Sequence, residues 1–319
     1  MDYDVIIIGS GPAGCAASIY ASRYGLSNIV IGKTQGGTIS YAHNVENYPG
    51  SNGISGVDLM ITVEKHVKDL GSQIIYDPVN KLEKVQDQFM VTTSSGKQFQ
   101  SRAVIIATGT ERKKLNIPGE QELVGKGVTY CVTCDAPFYK DKTVVLVGGG
   151  DAACSGAVHL SQFAKKIYLV YRGSSLRAEP TWVSQWQELA SAGKGEEIFN
   201  TNITKIISEK DKVAGVELDK EFNGSKNLAC EGVFIEIGGV PGTELIRPLG
   251  VKDDDSGHVV VNQYMETSLP GLFAAGDMTD QSKVMKQVIT AMAWGAIAAS
   301  SAYKYIKGSQ APQLIGVAR

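Results

Sequence analysis

The sequence lacks the features of a nucleic-acid-binding, secreted or disordered protein. Its 31 basic and 33 acidic residues nearly balance, and no five like charges follow one another, so a nucleic acid is not expected as its partner. Cysteine is scarce: the five cysteines are odd in number and mostly isolated, which argues against a secreted disulfide framework. Hydrophobic residues make up 43% and charged residues 20%, which is typical of a globular chain. We therefore expect a cytoplasmic protein.

Long hydrophobic runs are also missing, and two shorter apolar stretches do not predict a membrane segment. Val5–Tyr20 is preceded by Asp2 and Asp4, where a signal peptide would carry positive charge, and glycines interrupt it. Val288–Ala302 is shorter than the ~20 residues that a spanning helix needs. We expect no membrane partner.

Glycine, in contrast, is abundant: the chain has 36 glycines, well above an average usage of about 7%. Several of them follow the β-branched run Asp4–Ile8 and precede a helical pattern from Ala13 to about Tyr24; Asn28–Ile31 then predicts a second strand. In such a turn one glycine permits the tight bend, the next lets backbone approach a pyrophosphate, and the third lets helix and strand pack closely. The alternative is a glycine-rich turn without a ligand. The predicted pyrophosphate-binding residues are Gly9, Ser10, Gly11, Pro12, Ala13 and Gly14.

The same pattern returns in mid-chain. The buried-strand pattern Thr143–Val147 is followed by a second glycine turn and a helix through about Phe163, and Ile167–Val170 predicts the next strand. After that strand come Arg172 and Arg177 instead of a carboxylate, which favours the 2′-phosphate of NADP; the alternative is that both are solvated surface residues. The predicted turn residues are Gly148, Gly150, Asp151, Ala152 and Ala153.

Two such units predict an α/β fold with two doubly wound nucleotide-binding (Rossmann-like) domains. Strand and loop patterns at Val104–Gly109 and Gly271–Asp277, with a helical region at Val284–Tyr305, place both chain ends in one domain. The second domain is therefore predicted to be inserted into the first, with boundaries of 1–114 and 244–319 for the first and 115–243 for the second.

Cys131-Val-Thr-Cys134 has the spacing of a reactive dithiol, in which one sulfur attacks and the other resolves. A zinc site would need a second ligand pair that the remaining cysteines and the four histidines do not offer, so no metal is expected. Asp135 follows directly and is close enough to exchange a proton with a thiol; it could equally be a helix N-cap.

Two nucleotide fingerprints with Cys-x-x-Cys-Asp just before the second resemble the bacterial and archaeal low-molecular-weight thioredoxin reductases, from Asp4 to about Tyr305. Further pieces that resemble the family are Gly36–Ile39, Asn44–Gly50, Ala107–Gly109 and Ala275–Asp277. The resemblance implies that the first domain binds FAD and that the second binds NAD(P)H. Beyond the first turn, the FAD-binding residues it implies are Gly36, Gly37, Thr38, Ile39, Asn44, Asn47, Thr108, Gly109, Gly276, Asp277, Lys286, Gln287 and Val288.

The resemblance also implies roles for the reactive residues. Cys134 would exchange electrons with the flavin, Cys131 would attack a partner's disulfide, and Asp135 would protonate the departing thiolate. Electrons would pass from NADPH through FAD and this dithiol to a thioredoxin-like protein. The family's rotating domains imply hinges near Leu115–Gly119 and Gly239–Thr243, and a homodimer is expected.

Departures from the family pattern keep other functions open. Tyr171–Arg177 retains two of three usual arginines, and Ser155-Gly156 replaces a Glu-Glu pair. The electron donor could thus be NADH or reduced ferredoxin, or the chain could be a dithiol oxidase that uses oxygen. A non-catalytic redox-sensing flavoprotein is a further alternative. Trp294 either lies near the flavin or belongs to the core.

Overall fold

The computed structural model describes residues 2–51 and 53–312. The chain divides into two compact units. The terminal unit comprises the chain up to Glu111 and from Val240 onward, and the inserted unit comprises Arg112–Gly239. The sequence placed both boundaries a few residues further along the chain.

The described strands and α-helices are numbered in chain order. The strands are β1 Asp2–Ile8, β2 Asn28–Gly32, β3 Gln73–Tyr76, β4 Val79–Val85, β5 Gln88–Thr93, β6 Gln98–Ile106, β7 Thr110–Arg112, β8 Val128–Thr129, β9 Thr143–Val147, β10 Lys166–Tyr171, β11 Gly195–Phe199, β12 Ile203–Glu209, β13 Lys212–Phe222, β14 Ser225–Ala229, β15 Gly232–Ile235, β16 Gly239–Pro241 and β17 Leu272–Ala274. The α-helices are α1 Pro12–Arg23, α2 Gly56–Asp69, α3 Val132–Asp135, α4 Asp151–Leu160, α5 Pro180–Ser191 and α6 Val288–Lys307.

The sheet of the terminal unit is built around β1, whose residues Val5–Ile8 are buried. Such apolar, mostly β-branched runs suit a parallel strand that is covered on both faces. The strand order is β3-β2-β1-β6-β5-β4, and β17 pairs in parallel with the C-terminal part of β6. Helix α6 packs closely on α1. A Cβ at Gly295 would lie only 2.0 Å from the Ala13 carbonyl oxygen, so glycine is needed at this contact. The loops after β1, β2, β6 and β17 therefore meet at one edge of this sheet.

The inserted unit repeats the arrangement with a parallel sheet in the order β11-β10-β9-β15-β8. Its central strand β9 is buried along Val144–Val147, and the fully buried Trp186 of α5 donates a hydrogen bond from Nε1 to Glu197 at 2.7 Å. Strands β12, β13 and β14 form a separate antiparallel sheet, and β7 pairs with β16. The predicted fold class, α/β with two doubly wound Rossmann-like units and the second inserted into the first, is confirmed.

The C-terminal helix begins later than predicted. The helical region predicted from Val284 begins at Val288, because Gln287 is the N-cap and Asp280–Lys283 form a separate 3₁₀ turn. The backbone N–H of Gln287 donates to Thr290 Oγ1 at 3.3 Å, which ends the loop at this residue.

None of the described helices is long and apolar enough to cross a membrane.

Candidate functional site

The three glycines of the first turn meet different neighbours. A Cβ at Gly9, where φ is +120°, would lie 2.1 Å from the Ala107 carbonyl oxygen, and one at Gly14 would lie 1.8 Å from the Gly9 carbonyl oxygen. Packing within the protein therefore explains both. A Cβ at Gly11 would come no closer than 3.7 Å, to the Gly36 carbonyl oxygen, which is ordinary contact. The absence of a side chain at Gly11 instead leaves backbone open to a ligand.

The start of α1 lies at the same point and suits an anion. Gly11 is the N-cap and Pro12 the first helical residue, so no side chain caps the free N–H groups, and the first turn has no acidic residue. Such a helix end offers N–H donors and the positive end of the helix dipole. The residues predicted to hold a pyrophosphate are thus compatible with one.

A second glycine pair lies against this turn. Gly36 and Gly37 both have φ of +67°, and a Cβ at Gly37 would lie 3.1 Å from Gly11 Cα. Glu64 of α2, which is only 2% exposed, fixes the start of this pair. Its carboxylate accepts hydrogen bonds from Gly36 N at 3.1 Å and from Gln35 Nε2 at 3.0 Å. No sequence motif points to Glu64, since it lies far from Gly36 along the chain.

The C-terminal segment meets the same edge of the sheet. Gly276 follows β17, and a Cβ there would lie 3.0 Å from Ala13 Cβ. Burial raises the pKa of the Asp277 carboxyl, and the nearby Lys286 ammonium lowers it in part. Asn47 donates from Nδ2 to Gln287 Oε1 at 3.0 Å, at the start of α6.

Other predicted FAD-binding residues of the terminal unit are positioned as follows. Thr108 donates from Oγ1 to the Gly242 carbonyl oxygen at 2.8 Å, and a Cβ at Gly109 would meet no atom within 4 Å. Thr38 and Ile39 form part of the 3₁₀ turn Gly37–Tyr41. The side-chain amide of Asn44 is used locally, donating to Glu46 at 2.8 Å. The remaining predicted residues are Ser10, which donates to Thr34, and Val288, the first residue of α6.

The second glycine turn repeats these relations in the inserted unit. A Cβ at Gly148, where φ is +147°, would lie 2.2 Å from the Glu236 carbonyl oxygen, so packing requires glycine there. Gly150 is the N-cap of α4, and a Cβ on it would meet nothing within 4 Å. The next residues, Asp151, Ala152 and Ala153, open α4, and Asp151 Oδ1 accepts a hydrogen bond from Glu179 N at 2.7 Å.

The structure brings one of the two predicted arginines to this turn. Arg177 donates from its backbone N to the Gly149 carbonyl oxygen at 2.7 Å, and its guanidinium lies 5.7 Å from the centre of the Tyr171 ring. Arg172 directly follows β10, and both arginine side chains are exposed. The exposed guanidinium of Arg177 beside a glycine turn is suited to binding a phosphate.

Cys131 and Cys134 form a disulfide, with 5.4 Å between their Cα atoms. Cys131 is the N-cap of α3, and its Sγ accepts a hydrogen bond from Cys134 N at 3.2 Å. Helix α3 packs on α4, where a Cβ at Gly156 would lie 3.0 Å from the Val132 side chain; glycine here makes room for the residue between the two cysteines. Asp135 occupies the N-cap position of the 3₁₀ turn Ala136–Tyr139, but its side chain makes no capping hydrogen bond.

The remaining cysteines are not part of this site. Cys15, Cys154 and Cys230 are buried, and burial raises the pKa of each thiol to about 12, which keeps it protonated and unreactive. Residues 2–51 and 53–312 contain no group of three or more histidine, cysteine or acidic residues that could hold a metal ion.

Comparison with known proteins agrees with this geometry. Residues 3–295 match the pyridine nucleotide-disulphide oxidoreductase family. The chain is 38% identical over 310 residues to a thioredoxin reductase of Listeria monocytogenes, covering 96% of this chain and 94% of that one. It is 32% identical to the solved thioredoxin reductase of Lactococcus lactis, with a TM-score of 0.89 and coverage of 96% and 100%. The chain belongs to the low-molecular-weight thioredoxin reductase family.

The chain is also similar to a solved structure whose name includes ferredoxin. The chain is 32% identical to a ferredoxin-flavin thioredoxin reductase from Clostridium acetobutylicum, with a TM-score of 0.53 and coverage of 97% and 99%. Membership of the family implies FAD and a pyridine nucleotide, and both glycine turns are compatible with such dinucleotides. Trp294 is half-buried and packs against the core of the terminal unit.

Proposed function

We propose that the chain is a thioredoxin-disulfide reductase that takes electrons from NADPH through FAD and delivers them to a thioredoxin-like protein. The observation that carries the proposal is the disulfide Cys131–Cys134, which lies in the same unit as a glycine turn open to a dinucleotide. A second open glycine turn in the terminal unit provides the flavin site. Relatives that match nearly the whole chain are thioredoxin reductases.

The terminal unit would bind FAD, and the inserted unit NADPH. The N-terminus of α1 would receive the pyrophosphate of FAD, and the Gly36–Gly37 turn and the Gly276–Asp277 segment would lie next to it. Bound FAD supplies two-electron transfer between a pyridine nucleotide and a dithiol. The domains proposed for these roles are residues 1–114 with 244–319 and residues 115–243.

The dithiol would perform the exchange with the protein substrate. Once the Cys131–Cys134 disulfide has been reduced, the Cys131 thiolate attacks one sulfur of the substrate disulfide, and the other substrate sulfur leaves as a thiolate that Asp135 protonates. Cys134 then attacks the mixed disulfide, which releases the second substrate thiol and restores the disulfide. Two electrons and two protons pass to the substrate in each cycle.

The position of Arg177 supports NADPH over NADH. Its guanidinium stands beside the second glycine turn, where a 2′-phosphate would add charge-assisted hydrogen bonds that NADH lacks. The likeness to the Clostridium protein favours reduced ferredoxin as the second candidate donor. We further propose that the enzyme is a cytoplasmic homodimer.

Anaerobic titration of the bound flavin separates these donors. NADPH is expected to bleach the flavin absorbance at lower concentration than NADH. If NADPH leaves the flavin oxidised while reduced ferredoxin bleaches it, the NADPH assignment is wrong. Formation of hydrogen peroxide that depends on a dithiol would instead indicate an oxidase.

Replacement of Cys131 tests the exchange step separately. Cys131→Ser is expected to abolish reduction of thioredoxin while the flavin stays bound and is still reduced by the donor. Cys230→Ser, which removes a buried thiol of the same unit, is the matched control and should retain the activity. Unchanged thioredoxin reduction by Cys131→Ser would remove the enzyme assignment.

A further inference from the structure

A series of polar side chains leads from Lys283 on the surface of the terminal unit through Asp254 and His258 to Lys286. The imidazole is only 8% exposed. Its Nε2 lies 3.3 Å from Lys286 Nζ, and its Nδ1 lies 3.6 Å from Asp254 Oδ1. On the outer side, Lys283 Nζ lies 2.7 Å from Asp254 Oδ2. No sequence motif includes His258.

The backbone holds this imidazole in place. Asp254 N donates to the His258 carbonyl oxygen at 2.9 Å, while Asp254 Oδ1 accepts from Ser256 N at 2.7 Å and His258 N at 3.1 Å. The adjoining Val259 donates from N to the Met278 carbonyl oxygen at 2.9 Å, directly after Asp277. The turn that carries His258 is therefore attached to the segment that carries the proposed flavin contact.

Within this series of side chains, like charges are kept apart only when His258 is neutral. The charged groups that face the ring are Lys286, Asp254 and Lys283. A neutral ring with its proton on Nδ1 presents N–H toward Asp254 and leaves Nε2 free to accept from the Lys286 ammonium. A protonated ring has no acceptor for Lys286 and places a cation against it. Burial, followed by the repulsion from Lys286, lowers the pKa of His258, so the neutral form dominates at neutral pH.

Lys286 is the connection to the cofactor site. It stands directly before the Gln287 N-cap of α6, and its charge offsets part of the rise that burial causes in the pKa of the half-buried Asp277 carboxyl. The side chain of Lys286 is itself exposed, so a fixed partner is needed to restrict its many rotamers. His258 is such a partner.

We propose that His258 is a positioning residue for the flavin: as a neutral imidazole it accepts a hydrogen bond from Lys286 and keeps that ammonium directed toward Asp277 and the anionic part of FAD. Protonation of His258 breaks this contact, so FAD is held less tightly at acidic pH. The inference rests on the proposed FAD site and adds a residue and a pH dependence to it.

The test measures FAD release from the purified holoenzyme on dilution, followed by flavin fluorescence from pH 8 to pH 5. In the wild type the apparent dissociation constant is expected to rise as the pH falls below the ordinary imidazole value of 6.5 and to approach a tenfold increase as His258 becomes protonated, since a hydrogen bond to a charged group is lost. His258→Gln retains a neutral acceptor that does not titrate, so its dissociation constant should stay near the wild-type pH 8 value throughout. His258→Phe should bind FAD about tenfold more weakly already at pH 8.

Two further variants show whether the effect runs through Lys286. Lys286→Met should weaken FAD binding at every pH. In that background His258→Phe should cause little additional loss of FAD affinity, because the two residues act as one unit. His66→Gln, on the exposed face of α2 in the same unit, is the matched control and should keep the wild-type pH profile. Thermal melting identifies any variant that has failed to fold.

The outcomes separate this inference from the proposed function. Parallel pH profiles for the wild type and His258→Gln, or wild-type FAD binding by His258→Phe at pH 8, would overturn the role of His258 while the flavin assignment stands. Additive effects of the His258 and Lys286 variants would also overturn it. A wild-type protein that binds no FAD at any pH would remove the proposed function and this inference together.

Discussion

Two alanine substitutions in one glycine turn should affect different properties, fold stability in one case and FAD affinity in the other, although each adds a single methyl group. Gly14→Ala places a Cβ 1.8 Å from the Gly9 carbonyl oxygen, and no side-chain rotation can relieve a clash with backbone. Gly11→Ala places its Cβ 3.7 Å from the nearest protein atom, the Gly36 carbonyl oxygen, at a residue with an ordinary φ of −78°. The first change should therefore destabilise the fold, and the second should leave it intact.

The magnitudes follow from these distances. Overpacking commonly costs about 1–3 kcal/mol, and a clash between two backbone groups should exceed about 3 kcal/mol for Gly14→Ala. For Gly11→Ala the loss of a preferred N-cap and the reduced entropy of the unfolded chain nearly cancel, leaving a change within about 1 kcal/mol. The new methyl group would instead stand where the pyrophosphate approaches, so FAD affinity should fall about 10- to 100-fold.

Melting of the flavin-free proteins and titration with FAD measure the two effects separately, since bound FAD would itself stabilise the fold. For a unit of this size about 1 kcal/mol corresponds to roughly 2–4 °C, so Gly14→Ala should melt at least about 6 °C below the wild type. Gly11→Ala should melt within a few degrees of it. Wild-type FAD affinity in Gly11→Ala would refute the conclusion that this glycine faces a ligand.

Three further changes test other parts of the site. Arg177→Ala should weaken NADPH binding by about 1.5–3 kcal/mol, or roughly 10- to 100-fold, and NADH binding much less. Stopped-flow reduction of the flavin measures both affinities, and equal losses would show that the arginine does not bind the 2′-phosphate. Glu64→Ala leaves the buried Gly36 N–H without its acceptor, which should cost about 1–3 kcal/mol in unfolding free energy and reduce FAD affinity, whereas Glu64→Gln should retain most of both. The hydrogen bond from Lys283 helps to lower the pKa of Asp254 to about 2, against desolvation that acts in the other direction. Because this folded-state value lies below the ordinary 3.8, the carboxylate stabilises the fold above about pH 4 and ceases to do so as the pH falls toward 2. Asp254→Asn should therefore lower the melting temperature at pH 6 and have little effect near pH 2; an equal effect at both would contradict the assignment.

Much of the fold could be predicted because the informative patterns are local. A run such as Val5–Ile8 is apolar at every position, and only a strand covered on both faces buries all of it. The glycines after it and after Val147 mark turns whose backbone a side chain would obstruct. The start of α6 was misplaced because the residues from Val284 onward continue a helical pattern, whereas Gln287 and Thr290 form a cap that periodicity does not reveal.

The sequence by itself determined the chemistry that this chain can carry: a C-x-x-C dithiol, two dinucleotide-type turns and arginines suited to a phosphate. Those features depend on residues within a few positions of one another, where chain connectivity already sets the distances. Only the tertiary structure decided that Glu64 supports Gly36 and that His258 meets Lys286, since each pair lies 28 residues apart. Such contacts arise from the packing of helices and loops at the edge of a sheet, and no local pattern encodes which buried polar group will meet which partner.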